Sequence, residues 1–225
     1  MSNKILFVWD FHGVLEKDNI YAVRDICNLV LDEFGFAKKI TIQETIKYYG
    51  LSWLDYFKFT LPEGNYELWN QMVKRVLTLQ EKGWNIIKSH IKPRDFSKDV
   101  LQKIKENNNY NILLTNSSVE HAKRFIDFID LAKYIDEVKG VDYHWSCRPN
   151  QEIHNLKSQL LLDFLKIKNY KKIIAIGDRE SDIKAGKNCG AITYLFVDLK
   201  INKRPEETEA DYVISDLREI LKELN

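Results

Sequence analysis

The sequence predicts an α/β protein with a doubly wound parallel sheet and a block of helices inserted after the first strand. Short apolar runs recur along the chain, and segments with helical periodicity separate them. The first run, residues 5–9, has five apolar residues in succession, as expected for a strand that both faces of a parallel sheet bury. Residues 16–92 carry helical patterns and no convincing strand.

The order of the predicted elements defines the domains. In the inserted block, Asp18 precedes an apolar pattern with a 3.6-residue period, Thr41 and Glu44 match a capping box, and Ser52 precedes a further start. A long helix follows at residues 66–82. After Pro93 the elements alternate, with strands at residues 111–114, 137–141, 173–176, 192–197 and 212–214, and helices at residues 96–106, 118–128, 152–166, 182–188 and after residue 216. We therefore expect residues 1–15 and 93–225 to form an α/β core, and residues 16–92 to form a helical domain.

The composition excludes several classes of function. The chain has 34 basic and 33 acidic residues, so its net charge of +1 gives no overall attraction to nucleic acid or to an anionic membrane. The three cysteines, Cys27, Cys147 and Cys189, are far apart and form no metal-binding cluster, which favours a reducing, cytoplasmic setting. The N-terminal apolar run is too short for a signal peptide or a membrane span.

Polar residues follow three of the apolar runs. Asp10 ends the first run, Thr115 and Asn116 end the second, and Asp178 ends the third, with Asp182 four residues later. Carboxylates that meet at strand ends repel one another unless a cation lies among them, and oxygen ligands suit Mg²⁺. A divalent ion with a hydroxyl, backbone N–H groups and a lysine forms a site for a phosphoryl group. Asp10 is then the candidate nucleophile, because a carboxylate can form an acyl phosphate.

The segments around these residues resemble, in sequence and in order, the motifs of the haloacid dehalogenase superfamily of hydrolases. They are DFHGVL at residues 10–15, LLTNS at residues 113–117 and IGDRESD at residues 176–182. The resemblance covers the whole chain, because such proteins carry a cap domain between the first and second motifs, where residues 16–92 lie. It implies a Mg²⁺-dependent hydrolase, above all a phosphatase, that acts on a small phosphorylated metabolite. We expect a monomer or a homodimer, with no nucleic-acid or membrane partner.

The resemblance also assigns roles to individual residues. Asp10 would attack phosphorus, form an aspartyl-phosphate and bind Mg²⁺. Thr115 would bind the phosphate through its hydroxyl group, and Asn116 through its backbone N–H. Asp178 would bind Mg²⁺, and Asp182 would support the ion directly or through water.

His12 departs from the family pattern, in which an aspartate protonates the leaving oxygen and then activates water. The backbone carbonyl of that aspartate also binds the metal, and His12 can still provide this group. A histidine exchanges protons near neutral pH, but its cationic form is disfavoured close to Mg²⁺. Three alternatives stay open: His12 is the acid and base of a working phosphatase, the chain is a weak or inactive binding protein, or it runs another chemistry of the superfamily. Phosphoryl transfer and the cleavage of carbon–halogen or carbon–phosphorus bonds belong to the third alternative.

Two residues are candidates for the cation that the family places beside the nucleophile. Lys157 opens a predicted helix and lies 21 residues before Asp178, whereas Arg148 is followed by a proline and lies 30 residues before it. The family favours a separation in the low twenties, so we prefer Lys157 and keep Arg148 as the second candidate. A receiver-like regulatory domain also combines aspartates, a threonine and a lysine at strand ends. The large insert after Asp10 argues against that class, and is expected to act as a lid with hinges near residues 15–18 and 92–95.

Overall fold

The computed structural model describes residues 3–82, 84–142, 152–201 and 204–224, which form two compact units. One unit combines Met1–Lys17 with Pro93–Asn225, and the other is Asp18–Lys92. The strands are β1 Ile5–Trp9, β2 Glu16–Lys17, β3 Lys92–Pro93, β4 Tyr110–Thr115, β5 Glu137–Gly140, β6 Lys172–Gly177, β7 Ile192–Phe196 and β8 Tyr212–Ile214. The helices are α1 Asn19–Glu33, α2 Ile42–Tyr48, α3 Trp53–Thr60, α4 Tyr66–Lys82, α5 Trp84–His90, α6 Ser97–Glu106, α7 Val119–Phe128, α8 Ile153–Leu165 and α9 Glu180–Asn188, with 3-10 helices at Ala132–Tyr134 and Leu217–Leu224.

Six strands of the larger unit form one parallel sheet in the order β5-β4-β1-β6-β7-β8, which confirms the predicted α/β class. Strand β1 lies between β4 and β6, and Trp9 is opposite both Leu113 and Ile176. The three strands therefore end side by side at one edge of the sheet. Within the described ranges, no helix is both long enough and apolar enough to cross a membrane.

Burial on both faces explains the continuous apolar sequence of β1. On one face, Leu6 and Val8 belong to a buried cluster that also includes Leu161 of α8. On the other face, Trp9 is fully buried, and its indole N–H donates to Asn111 Oδ1 at 3.0 Å. Full burial of each large apolar side chain stabilises the fold by about 1.5–3 kcal/mol, so this strand holds the residues at its end in a fixed position.

The helix starts in the smaller unit show which local signals act as predicted. The capping box is confirmed, because Thr41 Oγ1 accepts from Glu44 N at 3.2 Å and the Glu44 carboxylate accepts from Thr41 N at 2.8 Å. Ser52 also caps its helix. The prediction that Asp18 caps the first helix was wrong, because Asp18 has φ 75° and makes no capping hydrogen bond. A capping residue typically has an extended backbone, which Asp18 lacks. Its carboxylate instead lies 3.2 Å from Lys92 Nζ.

Arg94 joins the loop after β1 to the segment after β7. Its Nη2 donates to the carbonyl oxygens of Gly13 at 2.9 Å and Glu16 at 3.3 Å, and its Nη1 pairs with Asp198. The guanidinium carbon lies 5.1 Å from the centre of the Phe196 ring, and the whole side chain is buried. One buried cation therefore holds the backbone of the loop that follows Asp10.

We expect Arg94→Met to lower the free energy of unfolding by about 3 kcal/mol, because it removes a buried donor from two carbonyl oxygens and from the partly buried carboxylate of Asp198. Arg218→Met is the matched control, since Arg218 also pairs with an aspartate and lies 3.8 Å from the ring centre of Phe96, but on the surface. The control should cost about 1 kcal/mol or less. Urea denaturation measures both values, and equal losses would contradict the role given to Arg94.

Candidate active site

The ends of β1, β4 and β6 bring together the residues that the sequence places after the apolar runs. Asp10 follows β1, and its N–H donates to the carbonyl oxygen of Ile176 at 2.8 Å, which continues the pairing of the two strands. Thr115 is the last residue of β4, and Asp178 follows the last residue of β6. The parallel sheet thus collects these side chains along one edge, where open α/β sheets bind their ligands.

Lys157 lies among the carboxylates of this edge. Its Nζ donates to Asp10 Oδ1 at 2.8 Å and to Asp182 Oδ1 at 2.6 Å, and the residue is only 1% exposed. Helix α8 positions it, because Leu161 and Phe164 on the same helix are buried against the sheet, and Lys157 is one turn before Leu161. The packing of α8 therefore directs an ammonium group to the end of the central strand.

The charge of Lys157 is maintained by its neighbours. Burial opposes the ammonium form, but the carboxylates of Asp10 and Asp182 outweigh this effect and hold the pKa of Lys157 above the ordinary lysine range. The residue is therefore cationic at neutral pH. Of the two cations considered from the sequence, this one lies beside Asp10, while Arg148 lies outside the described residues.

Three carboxylates meet beside this lysine. Asp10, Asp178 and Asp182 can each offer an oxygen such that the three oxygens lie within 4.8 Å of one another. Burial, together with the charges of Asp10 and Asp182, raises the pKa of Asp178 to about 8 in spite of Arg179 and Lys157. When all three carboxylates are ionised, the ammonium group of Lys157 alone does not balance them. An all-oxygen donor set with surplus negative charge fits a hard divalent cation such as Mg²⁺.

Asp182 has a second structural task in this cluster. Its Oδ2 accepts from the backbone N–H of Arg179 at 3.2 Å at the start of α9, while its Oδ1 accepts from Lys157. Burial raises the pKa of Asp182 as well. Both oxygens thus already have protein donors, so Asp182 holds the lysine and the first turn of α9 in place.

Two glycines allow the loops to approach the carboxylates. Gly13 has φ +85°, and a Cβ atom there would lie 2.5 Å from Asp178 Oδ2. A Cβ atom at Gly177 would lie 2.1 Å from the Cβ atom of Asp182. These contacts are shorter than any side chain tolerates, so the positions of the aspartates depend on glycine at both sites.

The turn after β4 presents hydrogen-bonding groups at the same edge. Thr115 is 1% exposed, and its Oγ1 accepts from Ser117 N at 3.3 Å. Asn116 Oδ1 is buried and has no hydrogen-bond partner within the described part of the chain. Ser118 then caps α7 by accepting from His121 N at 3.3 Å. The hydroxyl group of Thr115 and the side-chain oxygen of Asn116 are thus held at the end of β4, next to the end of β1.

The surroundings of His12 include two residues that the sequence analysis missed. Its Nδ1 lies 3.0 Å from Oε1 of Glu16, which is fully buried, and its ring makes an edge contact with Phe125 of α7 at 4.8 Å between centroids. The only sequence signal was the spacing of four residues between His12 and Glu16. Arg94 was also missed, and its distance of 81 residues from Gly13 left no local signal.

The glycine at position 13 can be tested against a second glycine with the same backbone conformation. Gly35 has φ +80°, but a Cβ atom there would meet nothing within 4 Å. Both Gly13→Ala and Gly35→Ala should lower the melting temperature because of backbone strain. If Mg²⁺ binds at the three carboxylates it should raise the melting temperature, and only Gly13→Ala should abolish that rise, since only it displaces Asp178. An intact Mg²⁺ response in Gly13→Ala would contradict this geometry.

The raised pKa of Asp178 predicts a pH-dependent stability without metal. The folded state holds a proton on Asp178 up to about pH 8, whereas the unfolded chain releases it near pH 4, so this group's contribution to stability falls as the pH rises between these values. In EDTA, Asp178→Asn should therefore raise the melting temperature by a few degrees at pH 9 and by less at pH 5. Exposed Asp127→Asn is the control. A gain that does not depend on pH would oppose the assignment.

Comparisons with known proteins agree with this geometry. A family described as haloacid dehalogenase-like hydrolase matches residues 7–196. A curated protein of Caldanaerobacter subterraneus subsp. tengcongensis, provisionally named pyrophosphatase PpaX, is 25% identical over 219 residues, which are 96% of this chain and 92% of that protein.

Solved structures show the same fold at low sequence identity. A protein of Haemophilus somnus, provisionally described as a phosphoglycolate phosphatase, has a TM-score of 0.80 at 14% identity, with both chains fully covered. A haloacid dehalogenase-like hydrolase of Streptococcus pneumoniae has a TM-score of 0.74 at 14% identity over 99% of each chain. The motifs, the parallel sheet and the family match together confirm the predicted resemblance, and the chain belongs to the haloacid dehalogenase-like hydrolases.

Proposed function

We propose that the chain is a Mg²⁺-dependent phosphatase that hydrolyses a small phosphorylated molecule through an aspartyl-phosphate on Asp10. The observation that carries the proposal is the ammonium group of Lys157, 2.8 Å from Asp10 and 2.6 Å from Asp182. A carboxylate alone repels a phosphoryl dianion, and a fixed cation beside it removes much of this repulsion. Relatives provisionally named as a pyrophosphatase and a phosphoglycolate phosphatase support phosphate chemistry.

Asp10, Asp178 and the backbone carbonyl of His12 would hold the metal ion, with Asp182 beside it. When bound, the ion would neutralise charge on the carboxylates and on the phosphoryl oxygens. This role agrees with the raised pKa of Asp178, because a cation would replace the proton that burial and the neighbouring carboxylates favour. It also explains why three acidic side chains lie within 4.8 Å of one another.

The first step would transfer the phosphoryl group to Asp10. A carboxylate oxygen attacks phosphorus while the bond between phosphorus and the leaving oxygen breaks, and His12 gives its proton to that oxygen. Thr115 would donate from its hydroxyl group and Asn116 from its backbone N–H to the phosphoryl oxygens. Lys157 keeps one oxygen of Asp10 in a fixed position through its 2.8 Å hydrogen bond.

The second step would hydrolyse the aspartyl-phosphate. His12, now without its proton, accepts a proton from water as the water oxygen attacks phosphorus. The bond between phosphorus and Asp10 breaks, which releases inorganic phosphate and restores both the carboxylate and the protonated histidine. In this proposal, residues 16–92 form the cap that selects the substrate and excludes water, with hinges near residues 15–18 and 92–95.

The proposal is tested by phosphate release from a panel of phosphorylated metabolites, with Mg²⁺ and with EDTA. We expect turnover that needs Mg²⁺ and falls by at least about 10³-fold in Asp10→Asn, which removes the nucleophile. Asp127→Asn makes the same substitution at an exposed aspartate and should keep full activity.

His12→Asp separates the proposal from its main rival. A native chain that is silent on the whole panel, together with a His12→Asp variant that gains activity, would contradict the proposal. That result would favour a binding protein on the same fold, in which the family's acid has been lost.

A further inference from the structure

The His12 ring is held on several sides. Its Nδ1 lies 3.0 Å from Glu16 Oε1, and its ring meets the edges or faces of Phe11 at 4.9 Å and Phe125 at 4.8 Å between centroids. One fifth of the His12 side chain is exposed, whereas only 1% of the Glu16 side chain is. The histidine therefore keeps an accessible part while a buried carboxylate occupies one of its two nitrogens.

Glu16 is itself fixed by the fold. Its backbone N–H donates to the carbonyl oxygen of Phe11 at 3.2 Å, and its own carbonyl oxygen accepts from Arg94 at 3.3 Å. The same Oε1 that meets His12 also accepts from Gly13 N at 3.1 Å. Because Gly13 N can only donate, this oxygen acts as an acceptor, and the carboxylate faces Nδ1 in a single orientation.

We infer that Glu16 is a positioning residue that holds His12 as the Nδ1–H tautomer, so that Nε2 is the nitrogen that exchanges protons during turnover. This inference rests on the proposed function for the proton transfer, and on the geometry alone for the tautomer. An imidazole with a carboxylate on one nitrogen has its proton placed and its ring oriented by that carboxylate. Nε2 then gives a proton to the leaving oxygen and later takes one from water, while Nδ1 keeps its proton throughout.

The burial of a glutamate at this position requires an explanation, and its pairing with His12 supplies one. Burial of a carboxylate costs free energy unless the group is paired and hydrogen-bonded, and an apolar residue would fill the space without that cost. Oε1 of Glu16 accepts from Gly13 N at 3.1 Å and lies 3.0 Å from Nδ1 of His12. The glutamate and the histidine thus form a pair in the same loop as the candidate nucleophile, and the pair replaces the aspartate of the family motif.

The tautomer can be measured without any substrate. Nitrogen-15 NMR of the histidine rings at about pH 8.5, where an ordinary imidazole is neutral, distinguishes Nδ1–H from Nε2–H. We expect His12 to be the Nδ1–H tautomer in the native chain and in Glu16→Gln, whose amide oxygen can still accept. Glu16→Leu should shift His12 to the Nε2–H form that a free imidazole prefers. A native His12 with its proton on Nε2 would overturn the inference before any variant is made.

Kinetics then separate positioning from a structural role. Glu16→Leu should lower kcat by about 10²-fold and change KM by about twofold or less, while Glu16→Gln should lose less. In a His12→Asp background the same change should not lower kcat, because Glu16 then faces a carboxylate that it repels. A loss of kcat in both backgrounds would make Glu16 a structural residue and overturn the inference.

The matched control is another pair of histidine and carboxylate. His90 Nε2 lies 2.7 Å from Asp25 Oδ2 in the smaller unit. Asp25→Leu should change the ring signals of His90 and leave those of His12 unchanged. If the native chain hydrolyses nothing on the panel, the proposed phosphatase function fails. The tautomer result still decides separately whether Glu16 sets the proton on His12.

Discussion

The ammonium group of Lys157, buried between two carboxylates, is the interaction on which the site depends. A lysine that is 1% exposed is tolerated only because Asp10 and Asp182 lie within 2.8 Å of it, and the same pairing stabilises both carboxylates. The pairing requires β1 and β6 to lie side by side and α8 to pack across them. The architecture of the core therefore sets the electrostatics of the site.

The loop after β1 is the second constraint. It carries Asp10 and His12, and it bends through Gly13, where a side chain would collide with Asp178. Arg94 holds its carbonyl groups from outside, and Glu16 holds the ring of His12 and the N–H of Gly13 from within. Buried anchors on both sides restrict the conformations of this loop, which in the proposed mechanism would lower the cost of reaching the reactive geometry.

The acidic cluster shows a conflict between stability and chemistry. Without a metal ion, Asp178 favours its protonated form, because burial and two neighbouring carboxylates oppose its charge. A cation would relieve this repulsion, so the arrangement that makes three charged carboxylates unfavourable is also the one that suits a cation. In the same way, burial of the polar Glu16 side chain costs stability, and its contact with Nδ1 orients the histidine. Strain of this kind is characteristic of functional sites.

The sequence by itself determined the parts of this protein that depend on local patterns. Apolar runs identified the strands, the capping box at Thr41 and Glu44 identified a helix start, and three short motifs identified the family and proposed the site residues. The capping role predicted for Asp18 was wrong, because its backbone is left-handed, with φ 75°, and its side chain makes no capping hydrogen bond. Local patterns succeed where periodicity or a motif sets the structure.

Only the tertiary structure decided which charges meet. Lys157 and Asp10 are 147 residues apart, and Arg94 and Gly13 are 81 residues apart, so no spacing rule connects them. The pair of His12 and Glu16 is close in sequence, yet its importance depends on the burial of Glu16, which follows from packing of the whole loop. A contact between distant residues forms because the parallel strands fix the positions of their ends, and that order is a property of the folded sheet.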